Sequence, residues 1–177
     1  MVASGKNEDC GINTYTTALG SELKFEVENL TRIGLKSHSK DIFHYFKKGL
    51  ATANSDADII HIQHEYGIFG PKSIGSWFFI LPLLICKLVY GKKTIITMHN
   101  SWNADTAGSP FRSLKIAYIK MNNILISKLA DEIIFLTEDC ADDFAVSVPS
   151  SEPTIIKHGV PTSNVNLTKT QARNIFE

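Results

Sequence analysis

The chain alternates short apolar runs with longer segments in which apolar residues recur at helical spacing. The runs predict strands at residues 25–35, 58–63, 93–98, 132–136 and 154–157. The longer segments predict helices at residues 11–23, 41–53, 73–90, 110–130 and 138–146. Because strands alternate with helices of about ten residues or more, βαβ units and a parallel sheet are expected. The predicted fold class is α/β, a Rossmann-like parallel sheet with helices on both faces.

Local signals place individual residues within these helices. Asp41 is expected to cap the second helix, and Pro110 suits a first helical turn. The apolar face of the second helix is predicted to carry Ile42, Tyr45, Phe46 and Leu50. In the first helix, Tyr15 is expected on the apolar face that also carries Ile12. These positions predict which sides of the helices pack on the sheet.

Four of the apolar runs lead into polar residues that can do chemistry. These residues are His64 and Glu65, His99 and Asn100, Thr137 and Glu138, and His158 and Gly159. The carboxyl ends of parallel strands share one edge of a sheet, where loops and helix N-termini converge and ligands bind. Function is therefore predicted at that edge.

Composition limits the class of protein. The 177 residues are 44% hydrophobic, enough for a sizeable core. Residues 1–161 are expected to form one Rossmann-like domain, and the polar residues 162–177 a linker towards a further domain. Lys and Arg balance Asp and Glu at 18 each, so no global basic field favours nucleic acid as a partner.

Cysteine usage and the first residues bear on localisation. Three separated cysteines suggest neither a disulfide framework nor a CxxC site, and residues 1–10 show no secretory pattern. A cytoplasmic protein is expected. The apolar residues 74–86 are interrupted by Pro82 and are shorter than the roughly 20 residues of a membrane span. A buried helix is favoured there, with peripheral contact at the inner face of a membrane as the alternative.

Several common chemistries lack their motifs. The chain has no GxGxxG dinucleotide fingerprint, no GxxxxGK[ST] phosphate loop and no GxSxG nucleophile elbow. His61 and His64 are three residues apart, so on one strand they point to opposite faces and cannot share a metal ion. Neither a metal site nor a cofactor is predicted.

The residues that remain suit a sugar. His99 follows an apolar strand and precedes a polar loop, so it is the sharpest candidate. His64 and Glu65 can hold hydroxyl groups in the crevice, or form an ordinary hydrogen-bonded turn. His158 is either a binding residue or a simple exit from its strand.

Two further features have equally open interpretations. Gly11 opens the first helix, where a ligand can approach the backbone closely and free N–H groups can bind an anion. Ordinary turn geometry explains a glycine at this position equally well. Trp102 and Asn103 place an aromatic face beside an amide, a pairing that suits carbohydrate, but exposed loop aromatics often have no such role.

Four segments of the chain resemble a known family in the same order. They are CGINTY at residues 10–15, HIQHEYGIFG at 61–70, TMH at 97–99 and IKHGV at 156–160. They are similar to segments of the retaining GT-B glycosyltransferases of family four, the branch with mannosyltransferases and glycogen synthases. The resemblance spans nearly the whole chain and implies one half of a GT-B architecture.

The resemblance also implies roles. In that family the N-terminal domain mainly binds the acceptor, and the C-terminal domain holds the nucleotide sugar and an E-x7-E motif. Gly11 would then lie near the donor phosphates, and His99 would be the catalytic-site residue that contacts the transferred sugar. His64 and Glu65 would line the acceptor side.

Two departures from the family pattern qualify this expectation. The sequence stops at Glu177, where the second domain would begin, and only residues 2–4 form the first strand. The preferred interpretation is the N-terminal part of a retaining glycosyltransferase, which is expected to be inactive alone. Its expected partners are a nucleotide-sugar donor, a sugar or lipid-linked acceptor and a missing C-terminal domain. The alternatives are a noncatalytic α/β binding module that partners a separate donor-binding subunit, and a flavodoxin-like regulatory domain.

Overall fold

A parallel sheet forms the centre of the computed structural model, which describes residues 1–6, 10–23, 26–105, 107–149 and 153–159. Within these residues six strands pair in the order β2-β1-β3-β4-β5-β6, and every neighbouring pair is parallel. The strands are β1 (Val2–Ser4), β2 (Ile33–Leu35), β3 (Ile59–His64), β4 (Lys93–Met98), β5 (Glu132–Phe135) and β6 (Thr154–Ile155). The predicted α/β, Rossmann-like class is confirmed.

Helices connect the strands, close to the predicted positions. They are α1 (Gly11–Leu23), α2 (Ile42–Ala53), α3 (Ile74–Tyr90), α4 (Arg112–Leu129) and α5 (Glu138–Ala145). Two short 3-10 turns, Tyr66–Phe69 and Pro71–Ser73, lead from β3 into α3. The strand predicted at 25–35 is shorter than expected: residues 26–31 are exposed and only Ile33–Leu35 pairs with β1.

The connections place helices on both faces of the sheet, as predicted. The chain moves one way from β1 to β2 and the opposite way from β2 through to β6. Because βαβ crossovers are right-handed, α1 covers one face and α2 to α5 cover the other. The order reverses between β1 and β3, and crevices at such switch points are where open α/β sheets bind ligands.

The helix α2 packs unusually close to α3. Asp41 caps it as predicted, its Oδ1 accepting the N–H of Phe43 at 3.0 Å. Of the predicted apolar face, Tyr45 is buried as expected, whereas Ile42 and Leu50 are exposed and Gly49 is buried instead. A Cβ at Gly49 would lie 2.5 Å from the carbonyl oxygen of Phe79, so only glycine allows this approach. Close packing at Gly49 therefore sets the helix rotation.

The start of α4 also differs from the prediction. Pro110 lies outside the helix, which begins at Arg112 after Phe111 in a left-handed conformation, φ 63°. Pro110 therefore lies in the exposed turn before Arg112 and not in the first turn of the helix.

Candidate functional site

A cavity of about 670 Å³ opens at the carboxyl edge of the sheet. Residues that follow β1, β2, β3, β4 and β6 line it, together with part of α1. Of the residues predicted from sequence, the lining contains Gly11, Glu65, His99 and His158. The structure therefore brings four of the seven predicted site residues together at the predicted edge.

His99 is partly buried at the base of this cavity. Its Nε2 lies 2.9 Å from Oε1 of Gln63, and since an amide oxygen only accepts, Nε2 carries the proton. The other ring nitrogen, Nδ1, is then an acceptor. Burial, together with the nearby His158 and His61, lowers the pKa of His99 to about 4. At neutral pH His99 is therefore an uncharged imidazole with a defined tautomer.

Gln63 extends this arrangement beneath the cavity. Its side chain is fully buried, and its Nε2 donates to Nε2 of His61 at 3.1 Å. The same His61 nitrogen lies 2.8 Å from the Thr97 hydroxyl oxygen. Burial lowers the pKa of His61 to about 4. One amide thus orients two neutral histidines, and the signal for it was a glutamine within an apolar strand.

Tyr15 forms the wall above His99. Its ring meets His99 edge-on at a centroid distance of 5.1 Å and lies 4.4 Å from the ring of His158. Tyr15 is only partly buried, and its ring packs on these two histidines at the cavity. Sequence spacing placed it on the apolar face of α1, where it shares a side with Ile12.

Glu65 faces the cavity beside Gly67. A Cβ at Gly67 would lie 3.4 Å from Oε1 of Glu65 and 3.7 Å from Cε1 of His38. The carboxylate and the His38 ring therefore flank the same small gap. Gly11 is exposed at the first position of α1, and a Cβ there would meet no described atom within 4 Å. Both glycines leave room for a ligand to approach the backbone.

His64 lies in the core and does not line the cavity, contrary to the expectation that it faces the crevice. It is 1% exposed, and its ring stacks on Phe69 at 5.0 Å. Neither ring nitrogen has a hydrogen-bond partner among the described residues, and burial lowers its pKa to about 3. Successive side chains of β3 point to opposite faces of the sheet. His64 therefore shares the apolar face with Ile60 and Ile62, whereas Gln63 faces α1. His61 and His64 do point to opposite faces, as predicted.

Trp102 and Asn103 are also away from the cavity. The Trp102 ring stacks on Tyr66 at 4.2 Å, and Tyr66 donates a hydrogen bond to Asn123 of α4. Asn103 donates to Asp143 of α5. These contacts attach the loop after β4 to the core, so in this structure both residues have packing roles.

The cavity as a whole presents side chains with both donor and acceptor atoms. It offers the imidazoles of His38, His99 and His158, the phenol of Tyr15, the carboxylate of Glu65 and an open helix start, a set of donors and acceptors that suits hydroxyl groups. Comparison with models of protein families found no match, and a search of curated proteins found none either.

Proposed function

We propose that this chain is the acceptor-side, N-terminal part of a retaining glycosyltransferase that transfers a sugar from a nucleotide-sugar donor. One observation carries the proposal: the four segments that resemble the family, distant in sequence, each contribute to one cavity. Their contributions are Gly11, Glu65, His99 and His158. The resemblance implies that segments distant in sequence share one site, and each of the four has a residue in the cavity lining.

The chemistry of the cavity supports a sugar as ligand. A hydroxyl-rich molecule needs acceptors and donors at fixed positions and an apolar face for its ring. His99 supplies an uncharged acceptor nitrogen, Glu65 supplies carboxylate oxygens, and Tyr15 supplies a ring beside them. In this proposal His99 contacts the transferred sugar and Glu65 holds the acceptor, a sugar or a lipid-linked sugar.

The start of α1 supports a place for the donor. The helix runs for 13 residues with Gly11 exposed at its first position, and no acidic residue lies in the first turn. The partial positive charge of a helix N-terminus favours a phosphate group. Gly11 would then lie against the diphosphate of the nucleotide sugar.

The proposed reaction needs a second wall that carries the nucleotide. Positioned groups on both sides of a cleft orient the acceptor and stabilise the departing diphosphate. We propose that a C-terminal donor-binding domain supplies that wall, and that the N-terminal domain alone does not catalyse sugar transfer. We propose a cytoplasmic location for such an enzyme, with peripheral contact at the inner face of the membrane as the alternative.

Sugar turnover tests this proposal directly. A panel of UDP-, GDP- and ADP-sugars is assayed with this chain and with the chain joined to a donor-binding domain encoded beside it. Turnover by the joined protein is expected to fall at least about tenfold in His99→Ala, as for other positioned site groups. His44→Ala is the control, because His44 lies on α2 outside the cavity.

Two results would contradict the proposal. Unchanged turnover in His99→Ala, with an unchanged melting temperature, would remove His99 from the site. The second result is that the joined protein turns over no donor, while this chain binds the separate donor-binding domain tightly. That result would favour the noncatalytic binding module.

A further inference from the structure

An apolar stripe on α3 faces away from the sheet. Its members recur every three or four residues and are all more than a third exposed: Ile74, Phe78, Leu81, Ile85 and Leu88. Leu88 reaches 87% exposure. The opposite side of the same helix, with Phe79 and Leu83, is buried. The helix is therefore apolar on both sides, and the outer side has no covering element among the described residues.

The stripe continues onto α4. The rings of Trp77 on α3 and Tyr118 on α4 stack at 5.7 Å, so the two helices meet there. Leu114 and Met121 lie one turn to either side of Tyr118, and they are 72% and 49% exposed. The stripe, the stacked pair and these two residues together form what we call the α3–α4 face.

The helices that form and flank this face carry charged side chains of one sign. The helices α2, α3 and α4 contain no Asp or Glu, although the whole chain is balanced. Their basic residues are Lys47, Lys48, Lys87, Arg112, Lys115, Lys120 and Lys128. Lys87 pairs with Asp131 and Arg112 with Asp105, whereas the other five make no ion pair within the described part of the chain. Four acidic residues lie instead on α5.

We propose that the α3–α4 face docks on the surface of a lipid bilayer that contains anionic lipid. Apolar side chains enter the boundary between headgroups and acyl chains, and lysines attract the anionic headgroups. Each lysine near such a surface contributes measurably to binding, so the one-signed charge of three adjacent helices favours an anionic bilayer over a neutral one.

Docking on the surface fits the structure better than spanning. Residues Pro71–Tyr90 are long and apolar enough to cross a membrane by length and composition alone. However, Phe79 and Leu83 pack in the core and Phe79 contacts Gly49 of α2 through its backbone. Insertion of α3 would expose that core, whereas docking leaves every packed contact in place.

A second copy of the chain is a poorer occupant of this face. Pairing two such faces would bring the lysines of both copies together around the apolar contact, and like charges oppose each other there. An anionic bilayer supplies the opposite charge. The proposal concerns membrane binding only and does not depend on sugar transfer.

Vesicle sedimentation tests the proposal with the 177-residue chain. The chain is mixed with phosphatidylcholine vesicles, or with vesicles in which about a third of the lipid is phosphatidylglycerol. We expect binding to the anionic vesicles that weakens as salt is raised. The double variants Leu81→Glu/Ile85→Glu and Lys120→Glu/Lys128→Glu should each reduce that binding at least about tenfold.

The control is Val146→Glu, which places a carboxylate on another exposed apolar position, beside α5. Its binding should match the original chain, and melting curves should show all variants folded. Equal binding by the Leu81→Glu/Ile85→Glu variant, or no binding to anionic vesicles, would overturn the proposal. Retention on the vesicles after an alkaline carbonate wash would instead show insertion. If the original chain forms a dimer without lipid and the Leu81→Glu/Ile85→Glu variant does not, the face would be assigned to a second copy of the chain.

Discussion

His64 is a buried imidazole whose ring nitrogens have no hydrogen-bond partner among the described residues. An unpaired buried polar group costs about 1–3 kcal/mol. We expect His64→Phe, which keeps a ring against Phe69, to raise the free energy of unfolding by about 1 kcal/mol at pH 7. Urea unfolding measures this, with the exposed His158→Phe as a control that should change little. A clear loss of stability in His64→Phe would mean that the imidazole nitrogens are paired.

Gly11 lies where a side chain would project into open space. Gly11→Ala should therefore leave the melting temperature unchanged or slightly raised, because alanine favours a helix. If the donor diphosphate lies against this backbone, the added methyl group should raise the KM for the nucleotide sugar at least about tenfold in the joined protein. Steady-state kinetics measures this. An unchanged KM would show that the donor does not approach Gly11.

Helix packing is decided by individual contacts between elements, and α2 against α3 is the clearest case. A Cβ at Gly49 would lie 2.5 Å from a backbone oxygen of α3, which cannot rotate away. Overpacking of this kind costs about 1–3 kcal/mol, partly offset by the higher helix propensity of alanine. We expect Gly49→Ala to lower the free energy of unfolding by about 1–2 kcal/mol.

Gly20→Ala is the matched control for that change. Gly20 is also within a helix, but its Cβ would meet only the flexible side chain of Leu30, at 3.4 Å. The same substitution should therefore raise the free energy of unfolding by up to about 1 kcal/mol. Denaturant unfolding of both variants gives the comparison. Equal effects at the two positions would contradict the close packing of α2 on α3.

At the scale of the whole molecule, three histidines are neutral in the folded state. Burial lowers the pKa of His64 to about 3 and those of His61 and His99 to about 4, against 6.5 in the unfolded chain. The unfolded state therefore binds more protons as pH falls below about 6.5. The contribution of these neutral histidines to the free energy of unfolding is fully present above that pH and is lost progressively towards pH 4.

The expected slope is about 1.4 kcal/mol per pH unit for the fully buried His64, and less for the two partly exposed histidines. Urea unfolding at several values between pH 4.5 and 7.5 measures it. His64→Phe should show a shallower slope than the original chain, by the share of one histidine. A flat profile in the original chain would show that these histidines are solvated when folded.

Local pattern was sufficient for the elements and for the edge that carries the site. Apolar spacing along the chain placed α1 and β4 at their observed bounds, because helix and strand periods are set by backbone geometry within each segment. The alternation of strands and helices predicted a parallel sheet, and a parallel sheet brings its strand ends to one edge. That reasoning placed Glu65, His99 and His158 at this edge, where they line the cavity.

Only the tertiary structure decided which neighbouring side chains face the cavity. Gln63 lies under it and His64 lies in the core, because the crossover direction determines which face of β3 meets α1. The alternation with Ile60 and Ile62 held a signal for His64, but no local signal relates Tyr15 to His99. Trp102 packs on Tyr66 because the following loop folds back onto α4. Such contacts join residues distant in sequence, so spacing along the chain does not contain them.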